Sequence, residues 1–192
     1  MKIFSFLYDK TLQWSRHRHA PRYLGGLSFA ESSFFPIPPD VMLAPMCLAT
    51  PARAWWFALL TTATSVAGGV FGYLIGHFAY ELVQPLVEGR YAAAYQQSVN
   101  WFNEWGFWAI LVAGFSPIPY KVFTIAAGVL YMPLLPFILA SAIGRGARFF
   151  LVAALMRWGG SKMEHMLKRY VDAIGWVTVA LIAAVLFFHY AF

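Results

Sequence analysis

Two apolar stretches of this chain are each broken by the same short proline motif, and no other feature of the sequence leaves so few folds open. The first break reads Pro36-Ile37-Pro38-Pro39-Asp40 and the second Pro117-Ile118-Pro119-Tyr120-Lys121. A proline inside a helix removes a backbone donor and drives its ring against the preceding turn, so neither stretch can run as one continuous helix. Around the first break the apolar arms are 24–35 and 41–50. At the helical rise per residue each arm is roughly 15–18 Å long, about half the thickness of a bilayer core. Pro36, Pro38, Pro39, Pro117 and Pro119 are therefore expected to mark the tips of two hairpins that dip into a membrane and return to the side they came from.

The solvent that this pattern needs is lipid, and the composition agrees. Charged residues make up 11% of the chain, apolar residues 60%, and the mean hydropathy is +0.61. A soluble domain carries about 25% charged residues, so this chain cannot clothe a water-facing surface. The net charge of +6 does not read as a nucleic-acid footprint, because the cations sit in short stretches between apolar segments, as the positive-inside rule predicts. Cys47 is the only cysteine, which excludes an intrachain disulfide and makes a cysteine-based metal site implausible. No secretory signal pattern is visible near Met1, so the mature chain is expected to begin at or near it.

The sequence predicts an all-α integral membrane protein forming one domain over 1–192. Residues 1–23 read as an interfacial basic helix, with Ile3, Phe4, Phe6 and Leu7 followed by Arg16, His17, Arg18, His19 and Arg22. A first repeat covers 24–79, and its spanning helix 54–79 is lined by Gly68, Gly69, Gly72 and Gly76. Such glycines permit close approach, either to a second copy or to the chain's own helices, so a homo-oligomer stays open. An amphipathic connector (80–105) leads to a second repeat (106–156) with a spanning helix at 135–156. A basic loop and a last spanning helix at 173–191 complete the region 157–192. His77, near the end of the first spanning helix, reads as an interfacial residue.

The two halves match residue by residue. Phe34-Phe35-Pro36-Ile37-Pro38-Pro39-Asp40-Val41 aligns with Phe115-Ser116-Pro117-Ile118-Pro119-Tyr120-Lys121-Val122, and Ser65-Val66-Ala67-Gly68 with Ser141-Ala142-Ile143-Gly144. If both broken segments are re-entrant, residues 1–23, Arg53 and 157–172 lie on the cytoplasmic side while the Lys/Arg-poor stretch 80–105 lies outside. That arrangement satisfies the positive-inside bias and makes the repeats inverted, each a re-entrant helical hairpin plus a transmembrane helix.

Charge inside a bilayer costs a few kcal/mol or more per residue, which singles out Glu31, Asp40, Lys121, Arg145 and Arg148. Opposite signs on opposite halves can simply pair and lock the hairpins together. The functional alternative uses the spacing of Arg145 and Arg148, which places them on one helix face. With Lys121 they would form a cationic site for a substrate phosphate, matched by the planar fork of arginine. Glu31 and Asp40 would then be the proton-coupling pair, since burial favours the neutral form of a carboxyl group. No zinc-type spacing or Ser-His-Asp order is present, and Gly144-Arg145-Gly146 is too short to cradle a phosphate, so no metal, cofactor or enzymatic activity is expected.

These segments resemble the DedA family, also called the VTT or SNARE-associated Golgi protein family, over roughly 24–160. The resemblance rests on the run from Glu31 to Asp40 and on Gly114-Phe115-Ser116-Pro117-Ile118-Pro119-Tyr120-Lys121 followed by Ala126-Ala127-Gly128. It also rests on Gly144-Arg145-Gly146-Ala147-Arg148-Phe149, and it is closest to the short bacterial YqaA-like branch. It implies paired re-entrant hairpins and lipid translocation. Some bacterial members return undecaprenyl phosphate or flip phosphatidylethanolamine with ion or proton coupling, and eukaryotic relatives scramble phospholipids. The family's membrane acids map onto Glu31 and Asp40. Its second-half motif carries two arginines where this chain has Phe115 and Lys121, leaving Arg145 and Arg148 to compensate.

The expected function is thus a flippase- or scramblase-like transporter in the bacterial inner membrane, with a cytoplasmic N-terminus and membrane lipids as its partners. The alternative is a proton- or cation-coupled transporter of a small solute.

Overall fold

The computed structural model describes residues 19–35, 37–87, 92–116 and 119–160. All regular structure among them is helical: α1 (Ala20–Ser33), α2 (Asp40–Ala49), a single 3-10 turn (Pro51–Arg53), α3 (Ala54–Val87), α4 (Ala92–Phe115) and α5 (Tyr120–Val129). A further long helix, α6 (Leu134–Gly160), follows. Two segments, Pro51–Tyr80 and Leu134–Gly160, are long and apolar enough to cross a bilayer. At 30 and 27 residues they exceed the roughly 20 that a hydrocarbon core requires.

Both helix breaks fall where the prolines stand. The N–H groups of Phe34 and Phe35 both donate to the Ala30 carbonyl at 2.8 Å, closing α1. The chain resumes at Pro39, whose carbonyl accepts from Met42 (3.0 Å) and Leu43 (2.9 Å). At the second break Ser116 N–H closes α4 on Val112, and Pro119 provides the first acceptor of α5, for Val122 at 3.2 Å. Each short arm therefore starts on a proline, where a missing N–H costs no helical hydrogen bond. Pro38 lies in the first break, whereas Pro36 and Pro117 lie outside the described residues.

Several expected boundaries shift. Residues 20–23 belong to α1 rather than to a separate interfacial helix, with Pro21 in the first turn; residues 1–18 lie outside the described residues. The stretch 80–105 is not a distinct connector, because α3 runs on to Val87 and α4 runs from Ala92 straight through Gly106. Nothing at 105–106 interrupts the helix: the first proline after Ala92 is Pro117. Arg157 extends α6 instead of opening a loop. The remainder of the basic loop and the helix expected at 173–191 lie outside the described residues.

Two apolar clusters show how the helices are arranged. One gathers Leu24 of α1, Leu43 and Met46 of α2, Phe57 near the start of α3, and Phe149 and Met156 late in α6. The other gathers Tyr73 late in α3, Ile110 of α4, Ala127 of α5, and Phe137 near the start of α6. The start of α3 thus lies with the end of α6 and the reverse, so the two long helices are antiparallel. The arms of the first break collect at one end of α3 and those of the second at the other.

Lipid gives helices no hydrophobic reason to associate, so small residues and interhelical hydrogen bonds hold such a protein together. Along α1 and α3, Ser28 Oγ donates to Thr61 O (2.8 Å), Ser33 Oγ to Gly68 O (2.9 Å), and the Ser32 and Ser65 hydroxyls pair at 2.7 Å. Gly68 admits the Phe29 carbonyl so closely that an added Cβ would lie 2.2 Å from its oxygen. The approach recurs at the repeat-equivalent Gly144, where the same atom would lie 2.4 Å from the Leu111 oxygen. Between α3 and α5, Gly76 meets the Ile125 carbonyl and Gly128 meets that of Tyr73. The glycine-lined face of α3 is therefore occupied by the chain's own helices.

Candidate functional site

The polar centre is assembled from groups that the sequence scatters over more than a hundred residues. Arg145, on α6, is 2% exposed. Its Nε donates to Ser65 Oγ at 2.6 Å, and its Nη2 donates to the Glu31 carboxylate and to Ser32 Oγ at 3.3 Å. Ser32 Oγ in turn donates to Glu31 Oε2 at 3.2 Å. Aromatic rings lie close to the guanidinium, with its carbon 5.0 Å from the Tyr120 centroid and 4.7 Å from that of Phe149. Tyr120 is itself buried and donates its hydroxyl proton to Ser141. One arginine thereby ties α1, α3 and α5 to α6 through hydrogen bonds and cation–π contacts.

Arg148 lies three residues on, hence on the same helix face. Its Nη2 donates to Asp40 Oδ2 at 2.5 Å and its Nη1 to the Ser116 carbonyl at 2.7 Å. Asp40 is the first residue of α2, just beyond the first break, and Ser116 follows the last residue of α4, just before the second. A single guanidinium therefore joins the two breaks. The pair is more open than its neighbour, at 21% for Arg148 and 24% for Asp40. The other carboxylate oxygen, Asp40 Oδ1, is buried and has no partner among the described residues.

Four of the five intramembrane charges singled out by the sequence are thus brought together, as two ion pairs: Glu31 with Arg145 and Asp40 with Arg148. The arginines do not stand as free cations in this conformation, because each is engaged by an acid. The fifth charge, Lys121, is half-buried near the start of α5, beside Tyr120, and pairs with no carboxylate among the described residues. Ser32, Ser65, Ser116, Tyr120 and Phe149 complete the centre. Serines and aromatics carry no charge to betray them in an apolar sequence, although Ser65 and Ser141 did mark the internal repeat. His77 stacks on Tyr73 and meets Tyr131 edge-on at 4.7 Å, with its Nδ1 buried and unpartnered among the described residues.

A VTT domain matches residues 37–158, nearly two thirds of the chain and all of this centre except the α1 side chains. The chain belongs to the VTT domain family. This is the DedA family whose features its motifs resemble, and it places the chain among membrane proteins, in keeping with the two bilayer-length helices. Relatives of similar length align with nearly the whole chain. An uncharacterized protein of Haemophilus influenzae is 50% identical over 182 residues, covering 94% of this chain and 95% of its own. An uncharacterized protein of Histophilus somni is 47% identical over 188 residues, covering 97% and 98%. No solved structure matches this chain significantly.

Proposed function

We propose that this VTT protein is a lipid transporter, flippase- or scramblase-like, that moves a phosphate-bearing lipid headgroup between leaflets past the two helix breaks, with proton coupling through Glu31 and Asp40. The observation that carries the reading is the Arg148 bridge from Asp40 to the Ser116 carbonyl. Helix breaks leave backbone groups free at mid-membrane, and transporters use such points to bind charged cargo. A guanidinium that holds both breaks at once is suited to exchange protein oxygens for phosphate oxygens.

In this reading the broken segments are re-entrant hairpins and the halves inverted repeats. Support comes from the arms of each break gathering at opposite ends of α3, and from the matched contacts of Gly68 and Gly144. The protein lies in the bacterial inner membrane with its N-terminus cytoplasmic, and Lys121, Arg145 and Arg148 supply the positive field for the headgroup. The chemistry is movement without covalent turnover, and the partners are membrane lipids.

The test is leaflet exchange of a trace fluorescent phospholipid in liposomes holding the purified protein, followed by surface quenching with and without a pH gradient. Protein-dependent exchange is expected, and Arg148→Ala is expected to abolish it while preserving the tryptophan fluorescence of the fold. Full exchange by a folded Arg148→Ala variant would remove the phosphate role. If neither ordinary phospholipids nor a polyprenyl phosphate moves, the lipid reading fails and transport of a small solute takes its place.

A further inference from the structure

The two ion pairs are built alike and placed differently. Arg145 is 2% exposed and Glu31 15%, and Arg145 also holds Ser65 and Ser32 and lies between two aromatic rings. A ligand could reach that guanidinium only by separating four helices. Arg148 and Asp40, at 21% and 24%, are open to a molecule arriving at the breaks. Asp40 is also held lightly, since a carboxylate can accept about four hydrogen bonds and Oδ1 accepts none from the described residues.

Building on the reading of Arg148 as the phosphate group's receptor, we propose that Asp40 is a built-in competitor for that receptor: its carboxylate occupies the Arg148 edge that a lipid phosphate takes, and the two exchange. Carboxylate and phosphate use the same guanidinium fork. Nη1 remains on the Ser116 carbonyl, so the edge carrying Nη2 is the one vacated.

Charge balance then sets the coupling. With Asp40 on Arg148 the pair is neutral. With a singly charged phosphodiester on Arg148, the displaced Asp40 carboxylate would be left without a cation inside the membrane, which is costly. Uptake of one proton by Asp40 restores neutrality, so each bound anion brings one proton with it. Among the described residues, the charged groups around Asp40 do not offer another route. From α6 come Arg148 and Arg145; from α1 comes Glu31, already bound to Arg145. Lys121 on α5 adds positive charge that favours the incoming anion, and from α4 the contact is the Ser116 carbonyl. The Glu31–Arg145 pair stays closed during this step and acts as the fixed point against which Arg148 switches partners.

The direction of the pH effect follows. Because the exchange takes up a proton, affinity for the anion rises as pH falls. The probe should be dihexanoyl phosphatidylglycerol, a phosphodiester whose single charge is constant across the range, titrated by calorimetry onto the full-length protein in detergent micelles. Between about pH 8 and about pH 5, binding by the unaltered protein is expected to tighten by up to about tenfold for each unit of pH, the slope set by uptake of one proton per anion. Asp40→Asn is expected to bind about tenfold tighter than the unaltered protein at the higher pH and to lose the pH response. Asp40→Glu, which restores a carboxylate, is expected to restore the response and guards against misreading a folding defect. If the unaltered protein binds but Asp40→Asn binds no tighter, or keeps the pH response, the competition is wrong and the phosphate site stands. If no version binds the probe, both fall together.

Discussion

Alanine at Gly68 tests the seam on which the polar centre depends. The new Cβ would lie 2.2 Å from the Phe29 oxygen and 2.9 Å from two further backbone atoms of that residue. A carbonyl cannot rotate away as a side chain can, so α1 and α3 must part by about 0.8 Å to bring the closest contact to 3.0 Å. That displacement stretches the Ser28, Ser32 and Ser33 bonds, now 2.7–2.9 Å. Overpacking costs about 1–3 kcal/mol, and each weakened interhelical hydrogen bond adds roughly 0.6. The better helix propensity of alanine returns about 1 kcal/mol. The net loss is about 2–4 kcal/mol, which lowers the unfolding midpoint by about 4–16 °C for a chain of this size. Gly144→Ala, with its 2.4 Å contact to Leu111 at the equivalent repeat position, is expected to cost somewhat less. Gly26→Ala is the control, because nothing lies within 4 Å of its added Cβ; it should be neutral or raise the midpoint slightly. Thermal unfolding in detergent, followed by tryptophan fluorescence, gives all three. Equal midpoints for Gly68→Ala and Gly26→Ala would refute the close approach of α1 to α3.

The ion pairs should also separate by stability. Glu31→Gln leaves Arg145 buried without its counter-charge and is expected to cost about 3–5 kcal/mol, much of it recovered by adding Arg145→Met; Asp40→Asn at the more open pair should cost less. Denaturant unfolding in detergent distinguishes the two, and equal losses would contradict the difference in burial. In the turn between α5 and α6, Tyr131 has φ 54 while Met132 N–H reaches Ala127 O and Tyr131 N–H reaches Gly128 O, a helix end that ordinarily takes glycine. Tyr131→Gly is therefore expected to be more stable than Tyr131→Ala by about 1 kcal/mol, both having lost the ring; equal midpoints would mean the left-handed turn is not kept.

The breaks and the charged residues were legible because proline and intramembrane charge each carry a physical penalty that a sequence cannot hide. Pro39 and Pro119 open the short arms as expected, and both acids and both arginines converge. The pairing was harder to read. The spacing of Arg145 and Arg148 fixes a shared helix face, but whether that face meets phosphate or carboxylate depends on where α1 and α2 lie against α6, which no local pattern encodes. The connector was misread for a related reason. Residues 80–105 are mixed and amphipathic in composition, yet they carry only Pro85 and Gly89 as breakers, and helices can run on through mixed composition. Arg145 shows what tertiary context adds. Its neighbours Ser32 and Ser65 are unremarkable serines until α1 and α3 bring them within 2.7 Å of each other.

The halves match in fold but not in charge, and the mismatch bears on what the centre can attract. In the register that aligns Ser65 with Ser141, Arg145 and Arg148 of α6 correspond to Gly69 and Gly72 of α3. Those glycines are filled from α5: an added Cβ at Gly69 would lie 3.3 Å from the Tyr120 ring, and one at Gly72 would lie 2.5 Å from Thr124 Oγ1. The first break therefore presents its acid to an arginine, while at the corresponding positions of α3 the second break meets glycines. Among the described residues, Lys121 is the one of the five singled-out charges that has no ion-pair partner. A symmetric arrangement would neutralise both tips and leave an anion no reason to enter. Here Lys121 lies on one break, while Arg148 holds both. Under the proposed function, an anion drawn toward Lys121 would enter at the second break, which Arg148 holds through the Ser116 carbonyl, and release of Arg148 from Asp40 would loosen the first break from the second.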